Sequence, residues 1–436
     1  MNNSENISLP QSPSLQQKEK SSGRIRILLF FAVLLYFFAN FQRTVIPGAI
    51  FSELQKDLNT PAANITAMGA FFMYIYAVSQ LFSGILVDRY GGYRLMTAGG
   101  FLFCAGAILF PLGNSLTLLY ASRVLTGIGA STIYLSVVKE TKRAFPGNFG
   151  PAMGFAMLIG YAGSMAANAP FVGLIRYTGA GWRNALFFAG MILAAIWIIF
   201  LVLRFTVKMP PIADTSFSFR SFLPAVRKHN WPLYLLSSIS FAIFYCFQTV
   251  TGKKFLEDYC HISVLTAGWI LTITGALSAF ASFFSPILSK LAGNKRRPFM
   301  LAMGCGTLLA TVIPLLALFF HISAPWIFTG ALFLLALTAN MTPVFLAILS
   351  ETNPDRTLGA CTSFSNFFAY MLVALLGTFA GVLMDLFPPQ LMDGIRIYGR
   401  NSYIAVYLFL SVLASIAFFS SLRVRETNGK EFIEEE

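Results

Sequence analysis

The chain has 436 residues, of which 56% are hydrophobic and 11% are charged, and its mean hydropathy is +0.68. Soluble domains average roughly 45–50% apolar and about 25% charged residues, so this composition excludes a soluble enzyme, a nucleic-acid-binding protein and a disordered chain. The net charge of +13 fits a membrane protein, because cytoplasmic loops accumulate Lys and Arg. We therefore expect the lipid bilayer, and no nucleic acid, as a partner of this chain.

Twelve apolar runs are long enough to form membrane-spanning helices, each of which requires about 20 mostly apolar residues. We number these runs as spans 1 to 12 in chain order. An even number of spans places both chain termini on the same side of the bilayer. The runs are centred near Tyr36, Tyr76, Cys104, Gly127, Ser164, Ala194, Phe241, Ala276, Leu309, Leu335, Tyr370 and Leu410.

The distribution of basic residues orients these spans. Twenty-two of the 31 Lys and Arg residues fall in the two tails and in the loops after spans 2, 4, 6, 8 and 10. By the positive-inside rule, those loops and both termini are cytoplasmic. We therefore expect a multi-pass protein of the cell membrane, and of a bacterial inner membrane in particular. Arg43 and Arg123 lie inside predicted spans, and the opposite side carries Lys56, Arg176, Arg183, Lys253, Lys254, Arg396 and Arg400.

The two halves of the sequence resemble each other. Residues 83–94 after span 2 and residues 285–296 after span 8 share Ser, Ile, Leu, Gly and Arg at a constant offset of 202. A Phe-Gln pair at 41–42 also recurs at 247–248. Such recurrence indicates a parallel repeat of two six-helix bundles. The predicted organisation is a disordered cytoplasmic tail at 1–24, a bundle at 25–205, a cytoplasmic central loop at 206–229, a second bundle at 230–422 and a cytoplasmic tail at 423–436.

Two motifs carry a resemblance to a known family. In the loop after span 2, a Gly is followed by three residues and then by Asp, a basic residue, any residue and Gly. Span 4 contains Arg-x-x-x-Gly-x-Gly-Ala. On these motifs the chain resembles the major facilitator superfamily of secondary transporters, which implies twelve helices in two pseudo-symmetric six-helix bundles. The motif residues are Gly84, Asp88, Arg89, Gly91 and Arg94 in the loop, and Arg123, Gly127, Gly129 and Ala130 in span 4.

The loop motif predicts a contact between the two halves. Asp88 lies at the cytoplasmic end of span 2, where its charge can meet the positive N-terminus of a helix. The resemblance points to span 11 as that helix, and we expect Arg94 to pair with Glu140 at the end of span 4. The alternative is a set of ordinary loop charges. The sequence departs from the motif at Gly92 and Tyr93, where a basic residue is common. We call Gly84, Asp88, Arg89, Gly91, Arg94 and Glu140 the loop latch.

Arg43 and Arg123 lie in the hydrophobic middle of predicted spans, where the sequence has no Asp or Glu. A charge within the membrane costs about 2.5–3.5 kcal/mol on insertion scales and so requires a reason. Arg43 and Arg123 lie at a similar depth, roughly 10–12 Å from the outer helix ends at 1.5 Å per residue. Guanidinium groups bind carboxylates or phosphates with two parallel hydrogen bonds, so the pair predicts an anionic substrate. The alternative is that Arg43 snorkels outward and Arg123 binds helix carbonyls.

Polar residues at helical spacing extend this candidate site. Span 1 presents Tyr36, Asn40 and Arg43 on one face, and the resemblance implies that spans 1, 4, 7 and 10 line a central cavity. Taken singly, such residues more often form contacts between helices. The predicted substrate-binding set is Arg43, Arg123, Tyr36, Asn40, Gln80, Tyr134, Tyr245, Gln248, Asn340, Asn366 and Tyr370.

These features predict a secondary active transporter that moves a small organic anion by alternating access. Proton coupling stays open, since no buried carboxylate is evident. A multidrug or metabolite efflux pump is the first alternative, although cation exporters commonly contain a buried acid. A non-transporting receptor or sensor on the same fold is the second, although it would be expected to lose the loop latch. We expect a monomer with no enzymatic activity, no cofactor and no metal.

Overall fold

The computed structural model describes residues 15–145, 149–207, 226–353, 355–392 and 395–430. Helices dominate, and one short hairpin of β1 (Gln390–Met392) and β2 (Ile395–Ile397) joins the last two long helices. The first half contains α1 (Leu15–Val45), α2 (Phe51–Leu58), α3 (Ala62–Tyr90), α4 (Gly92–Leu112), α5 (Leu116–Ala144), α6 (Phe149–Ala166), α7 (Ala169–Thr178) and α8 (Gly181–Phe205).

The second half repeats this arrangement. Several of its helices begin with Pro in the first turn, where the missing N–H has no partner to lose. The helices are α9 (Trp231–Cys246), α10 (Gly252–Asp258), α11 (Val264–Leu291), α12 (Arg297–Phe319), α13 (Pro325–Ala339), α14 (Thr342–Thr352), α15 (Asp355–Asp385) and α16 (Arg400–Leu422).

Eleven helical segments in the described part are long and apolar enough to cross a membrane. A further pair, within α6 and α7, is bent by 42°. The bend lies at residues 167–168, where the side-chain amide of Asn168 donates to the carbonyl oxygen of Ser164 and Pro170 begins the next helix. With this bent pair counted as one span, the structure has the twelve spans that the sequence predicts.

Both halves interrupt their first span at equivalent positions. After α1 the chain forms a 3₁₀ turn at Gly48–Ile50 and continues as α2. After α9 it forms a π turn at Phe247–Thr251 and continues as α10. The interruption of the first span in each half agrees with the predicted parallel repeat.

The two halves meet chiefly through α3 with α15 and through α6 and α7 with α11. We call the end of the bundle at which α1 begins and α16 ends the terminal end, and the opposite end the distal end. At the distal end the halves are in close contact, because a Cβ atom added to Gly48 would lie 2.7 Å from the carbonyl oxygen of Thr249.

The expectation of a disordered N-terminal tail requires correction. Helix α1 begins at Leu15, so residues 15–24, predicted to be disordered, are helical. In the C-terminal segment Thr427 is fully buried and donates to Glu351, and Glu426 accepts hydrogen bonds from the backbone N–H groups of Arg296 and Arg297, both at 2.9 Å. Residues 1–14, 208–225 and 431–436, which belong to the predicted tails and central loop, lie outside the described residues.

Candidate functional site

Arg43 of α1 lies at the centre of the contact between the two halves and is 7% exposed. Its guanidinium group donates to the hydroxyl oxygens of Tyr370 and Tyr245, both at 2.9 Å, and to the side-chain oxygen of Asn40. It also lies over the Tyr245 and Tyr370 rings, at 4.9 and 5.7 Å from the centroids. Because both tyrosines belong to the second half, Arg43 joins the halves. It does not snorkel to the surface.

Aromatic rings surround this arginine. The rings of Tyr76 and Tyr370 are 4.8 Å apart, and those of Tyr36 and Tyr134 are 5.6 Å apart. Tyr36 and Tyr134 lie deep in the bundle and are still only half-buried, so part of each side chain lines open space. We call Arg43, Asn40, Tyr36, Tyr76, Tyr134, Tyr245 and Tyr370 the Arg43 cluster.

The cluster combines residues of five helices, α1, α3, α5, α9 and α15, and helical spacing accounts for its members on α1. Tyr36, Asn40 and Arg43 lie on one face of α1, and the Asn40 amide donates to the Tyr36 carbonyl at 3.0 Å. Asn366 is one turn before Tyr370 on α15 and is half-buried. The site thus takes side chains from both halves of the chain.

Arg123 is placed differently from the expectation. It is fully buried, and its Nε, Nη1 and Nη2 atoms donate to the carbonyl oxygens of Met68, Gln42 and Ile46, each at 3.3 Å. Gln42 and Ile46 lie where α1 ends, so the cation binds carbonyls that the helix leaves without intrahelical partners. The prediction of Arg123 as a substrate ligand is therefore corrected, and the geometry is that of its carbonyl-binding alternative.

Three other predicted residues are engaged in hydrogen bonds within the protein, two of them with another helix. The Asn340 amide donates to the Ser278 hydroxyl on α11 at 2.6 Å, which is a contact between helices. The Gln80 amide donates to the hydroxyl of Tyr76 at 2.9 Å and so helps to fix the position of a tyrosine of the Arg43 cluster. The Gln248 amide donates to the Leu271 carbonyl at 3.0 Å, while its buried side-chain oxygen has no hydrogen-bond partner among the described residues.

Two aromatic residues near the cluster escaped sequence reasoning. Phe241 lies 4.4 Å from Tyr245 and 5.4 Å from Tyr370, measured between ring centroids. Tyr161 of α6 is close enough to Tyr36 and Tyr245 to interact electrostatically. The residue before it, Gly160, lets α6 pack directly against the site, because a Cβ atom there would lie 2.2 Å from the Tyr36 ring; a glycine within an apolar span is the sequence signal of such close packing.

Polar contacts between the halves close the distal end. The Asp385 carboxylate at the end of α15 accepts from the backbone N–H groups of Ala62 and Ala63, at 3.2 and 2.6 Å, which begin α3 of the other half. The Tyr398 hydroxyl donates to Asp385 at 2.9 Å and accepts from the Gln55 amide at 3.1 Å. Burial, and the Asp385 charge in addition, raise the pKa of Tyr398, so this hydroxyl remains protonated and able to donate.

The loop latch differs in part from its prediction. Glu140 accepts from the backbone N–H groups of Gly92 and Tyr93, at 2.9 and 3.3 Å, and forms an ion pair with Arg143 at 3.4 Å. Arg94 does not pair with Glu140 but donates to the Tyr90 carbonyl at 3.3 Å. The reason is that Glu140 caps the first turn of α4, a geometry that brings its side chain against Gly92.

The remaining latch residues fit a close helix packing and a tight turn. Gly91 has a φ of +84° and ends α3, which accounts for glycine at this position. A Cβ atom at Gly84 would lie 3.9 Å from Leu135 of α5, and the Arg89 guanidinium lies 5.4 Å from the Tyr90 ring centroid. The side chain of Asp88 lies outside the described part of the structure, so its contact with span 11 stays a prediction.

Comparison with known proteins decides the family. The family model described as Major Facilitator Superfamily matches residues 32–301 and 233–436. The chain belongs to the Major Facilitator Superfamily. A solved structure of a bacterial homolog to the human lysosomal transporter Spinster, in an inward-facing and unoccupied conformation, matches with a TM-score of 0.71 and 17% identity over 92% of this chain and 98% of that chain. The resemblance and the fold expected from it are confirmed.

Curated relatives agree with a transporter. The "Uncharacterized MFS-type transporter YcxA" of Bacillus subtilis is 25% identical over 395 residues, which are 84% of this chain and 89% of that protein. The riboflavin transporter RibZ of Clostridioides difficile is 32% identical over 33% of this chain and 30% of that protein. The drug efflux pump JefA of Mycobacterium tuberculosis is 29% identical over 34% of this chain and 30% of that protein. The chain is a multi-span membrane transporter.

Proposed function

We propose that this transporter moves a small organic anion by alternating access, with Arg43 as the residue that binds the anionic group. The main support for this proposal is that Arg43 is buried and charged, yet no carboxylate of the described residues pairs with it. A buried charge is costly unless it is paired. A substrate carboxylate or phosphate would supply the missing counter-charge and accept two hydrogen bonds from one guanidinium group.

The contrast with Arg123 supports this choice. Arg123 already binds three main-chain carbonyls, and these acceptors are fixed by the helix backbone. Arg43 instead binds two phenol hydroxyls and one amide oxygen, all on side chains that can rotate. Tyrosine hydroxyls can also donate hydrogen bonds. Tyr245 and Tyr370 could therefore donate to the substrate anion after it has displaced their hydroxyl oxygens from Arg43.

The distal contacts support the transport cycle. Asp385, Tyr398 and Gln55 hold the halves together at that end, while half-buried Tyr36 and Tyr134 border open space farther from it. If the positive-inside rule holds, the terminal end is cytoplasmic and this conformation is closed to the outside. Opening at the distal end requires these contacts to break.

Uptake into proteoliposomes tests the proposal. Purified protein would be assayed with radiolabelled carboxylates, organic phosphates, neutral amino acids and lipophilic cations, with and without an imposed pH gradient. We expect transport of an anion that is lost in Arg43→Gln and retained in Arg183→Gln. Arg183 is a suitable control because it is an arginine that already has a carboxylate partner, Asp57 at 2.8 Å, and it lies near the distal surface, away from the Arg43 cluster. Anion transport that is equal in Arg43→Gln and wild type would refute the role of Arg43.

Export of drugs or aromatic metabolites is the second candidate. The ring-rich surroundings of Arg43 favour it, as do the partial matches to a riboflavin transporter and a drug efflux pump, each over about a third of this chain. Aromatic rings bind flat and cationic molecules without a specific counter-charge. Transport of a lipophilic cation that persists in Arg43→Gln would favour this function over anion transport.

A further inference from the structure

The packing around Arg43 shows on which side of it the rest of a bound substrate can lie. The distal side is filled, because a Cβ atom added to Gly48 would lie 2.7 Å from the carbonyl oxygen of Thr249 in the other half. On the terminal side, Tyr36 and Tyr134 are only half-buried although they lie inside the bundle. The part of a substrate beyond its anionic group therefore extends from Arg43 toward the terminal end.

Aromatic side chains of the first half line this terminal side. Tyr36 precedes Arg43 by seven residues on α1, which is about 10 Å along the helix axis at 1.5 Å per residue. Asn40, which accepts a hydrogen bond from Arg43, lies between them on the same face. The Tyr134 ring lies 5.6 Å from the Tyr36 ring, at an angle of 38°. The group next to the anion therefore meets a pair of rings.

The second half and α6 supply further rings. Phe241 of α9 and Tyr370 of α15 are half-buried, and their rings are 5.4 Å apart at an angle of 87°. Tyr161 of α6 is also half-buried, and it follows Gly160, where α6 packs against the Tyr36 ring. A space bounded by rings in several orientations suits a planar ring, because aromatic pairs favour offset-stacked and edge-to-face contacts.

The charges at the site match an anion with one negative charge. Arg43 is the cation that can bind it, because Arg123 already donates to three main-chain carbonyls. A dicarboxylate, or a phosphate monoester with about −1.5 to −2 charges at pH 7, would leave negative charge uncompensated in a buried place. An amino acid would leave its ammonium group unpaired, since no Asp or Glu in the described part of the chain contacts the Arg43 cluster.

The buried lysines of the second half are already paired. Lys253 and Lys254 look like outer-loop residues in the sequence, but they are only 2% and 1% exposed, because span 7 continues through the π turn into α10. Their partners are Glu257 at 3.4 Å and Asp258 at 2.8 Å. These ion pairs lie at the distal end and add no free charge to the Arg43 cluster.

We propose that the substrate is an aromatic monocarboxylate, whose carboxylate binds Arg43 while its ring lies against Tyr36 and Tyr134. This proposal rests on the proposed anion binding by Arg43 and adds the chemical class of the anion. It uses the charge and the rings of the site together, whereas a short aliphatic acid would leave the rings without a partner. It differs from the export of lipophilic cations, which would use the rings alone.

Matched ligands test the chemical class. Binding would be measured by calorimetry on the purified full chain in lipid nanodiscs, with benzoate, phenylacetate and hydrocinnamate, each beside its cyclohexyl counterpart of equal charge. We expect the best aryl acid to bind roughly two- to tenfold more tightly than its cyclohexyl counterpart. Its uncharged amide should bind roughly ten- to hundredfold more weakly than the acid. Terephthalate, with a second carboxylate, and phenylalanine, with an added ammonium group, should also bind more weakly.

Ring variants locate the contact. Tyr36→Leu and Tyr134→Leu should each reduce the preference for the aryl acid over its cyclohexyl counterpart, whereas Tyr134→Phe should keep it because the ring remains. Phe409→Leu is the matched control, since the Phe409 ring pairs with that of Phe379 at 5.7 Å, between α15 and α16 and away from the Arg43 cluster. An equal loss of preference in Phe409→Leu would overturn the assignment of the ring contact to Tyr36 and Tyr134.

The outcomes separate this proposal from the one on which it rests. Equal binding of aryl and cyclohexyl acids would overturn the aromatic class, and terephthalate or phenylalanine binding as tightly as benzoate would overturn the single charge; Arg43 would keep its role in both cases. The class is also wrong if the transport panel contains an Arg43-dependent anion but no aryl monocarboxylate binds. If acid and amide bind equally, in wild type and in Arg43→Gln, anion binding by Arg43 is itself refuted.

Discussion

Replacing Arg43 by Lys separates two-pronged anion binding from the simple presence of a positive charge. Lysine keeps the charge but presents one ammonium group in place of the planar guanidinium group, which donates hydrogen bonds to Asn40, Tyr245 and Tyr370. We expect the variant to lose about one charge-assisted hydrogen bond to the substrate, worth about 1.5–3 kcal/mol. That loss corresponds to roughly a ten- to hundredfold weaker affinity. Arg43→Gln, which also removes the charge, should bind more weakly still.

Affinity should be measured on purified protein by calorimetry or by scintillation proximity with the substrate found in the transport panel. Thermal unfolding of each variant provides the control, because Arg43 also joins the halves through Tyr370 and Tyr245. The order of affinities expected is wild type, then Arg43→Lys, then Arg43→Gln, among variants that remain folded. If Arg43→Lys binds as tightly as wild type, the two-pronged geometry has no role, and the reasoning from the guanidinium group is refuted.

Three further outcomes follow from the contacts of single residues. Arg123→Leu removes the donor to the buried carbonyls of Gln42 and Ile46, where α1 ends, at about 1–3 kcal/mol each, so its melting temperature should fall strongly while the folded fraction binds substrate normally. Asp385→Asn weakens a contact with a helix N-terminus worth about 0.3–1 kcal/mol, up to about 2 when partly buried, so spin labels at Asn114→Cys and Gln390→Cys, exposed distal positions in the two halves, should report more open molecules than in the wild type. Partial burial would raise the pKa of Glu426, but hydrogen bonds from backbone N–H groups, those of Arg296 and Arg297 among them, lower it overall. The ionised form therefore stabilises the fold above the ordinary pKa of 4.5 and loses this effect as the pH falls through the lowered value, so melting temperatures of wild type and Glu426→Gln should differ at pH 7 and converge in acid.

Sequence reasoning succeeds where one helix face carries the signal. Tyr36, Asn40 and Arg43 follow from the helical period alone, and Tyr245 and Tyr370 follow from the same period on their own helices. That these faces meet at one arginine depends on how the two halves pack, which the family resemblance implied and the structure shows.

The failures have local backbone causes. Arg123 and Arg43 look alike in sequence, since both are arginines at a similar depth. Pro47 signals that α1 ends near Ile46, but it does not show that the carbonyls left there become acceptors for Arg123. Lys253 and Lys254 look like loop residues because the apolar run stops before them, yet the π turn continues the span through them. Helix interruptions of this kind depend on tertiary contacts, so residue periodicity does not reveal them.

At the terminal end, a glutamate caps one helix of each half, and the positions of these two glutamates in the chain mean that the two bundles are completed at different stages of synthesis. In the first half, α4 is capped by Glu140, which precedes the remaining eight spans in the chain. In the second half, the equivalent helix α12 is capped by Glu426, which follows the last span. Chains fold from the N-terminus as they emerge, so the first bundle can complete its capping early, whereas the second keeps bare N–H groups on α12 until every span has been made. A chain that ends just after α16 would therefore contain all of its membrane helices and still lack the cap that completes the second bundle.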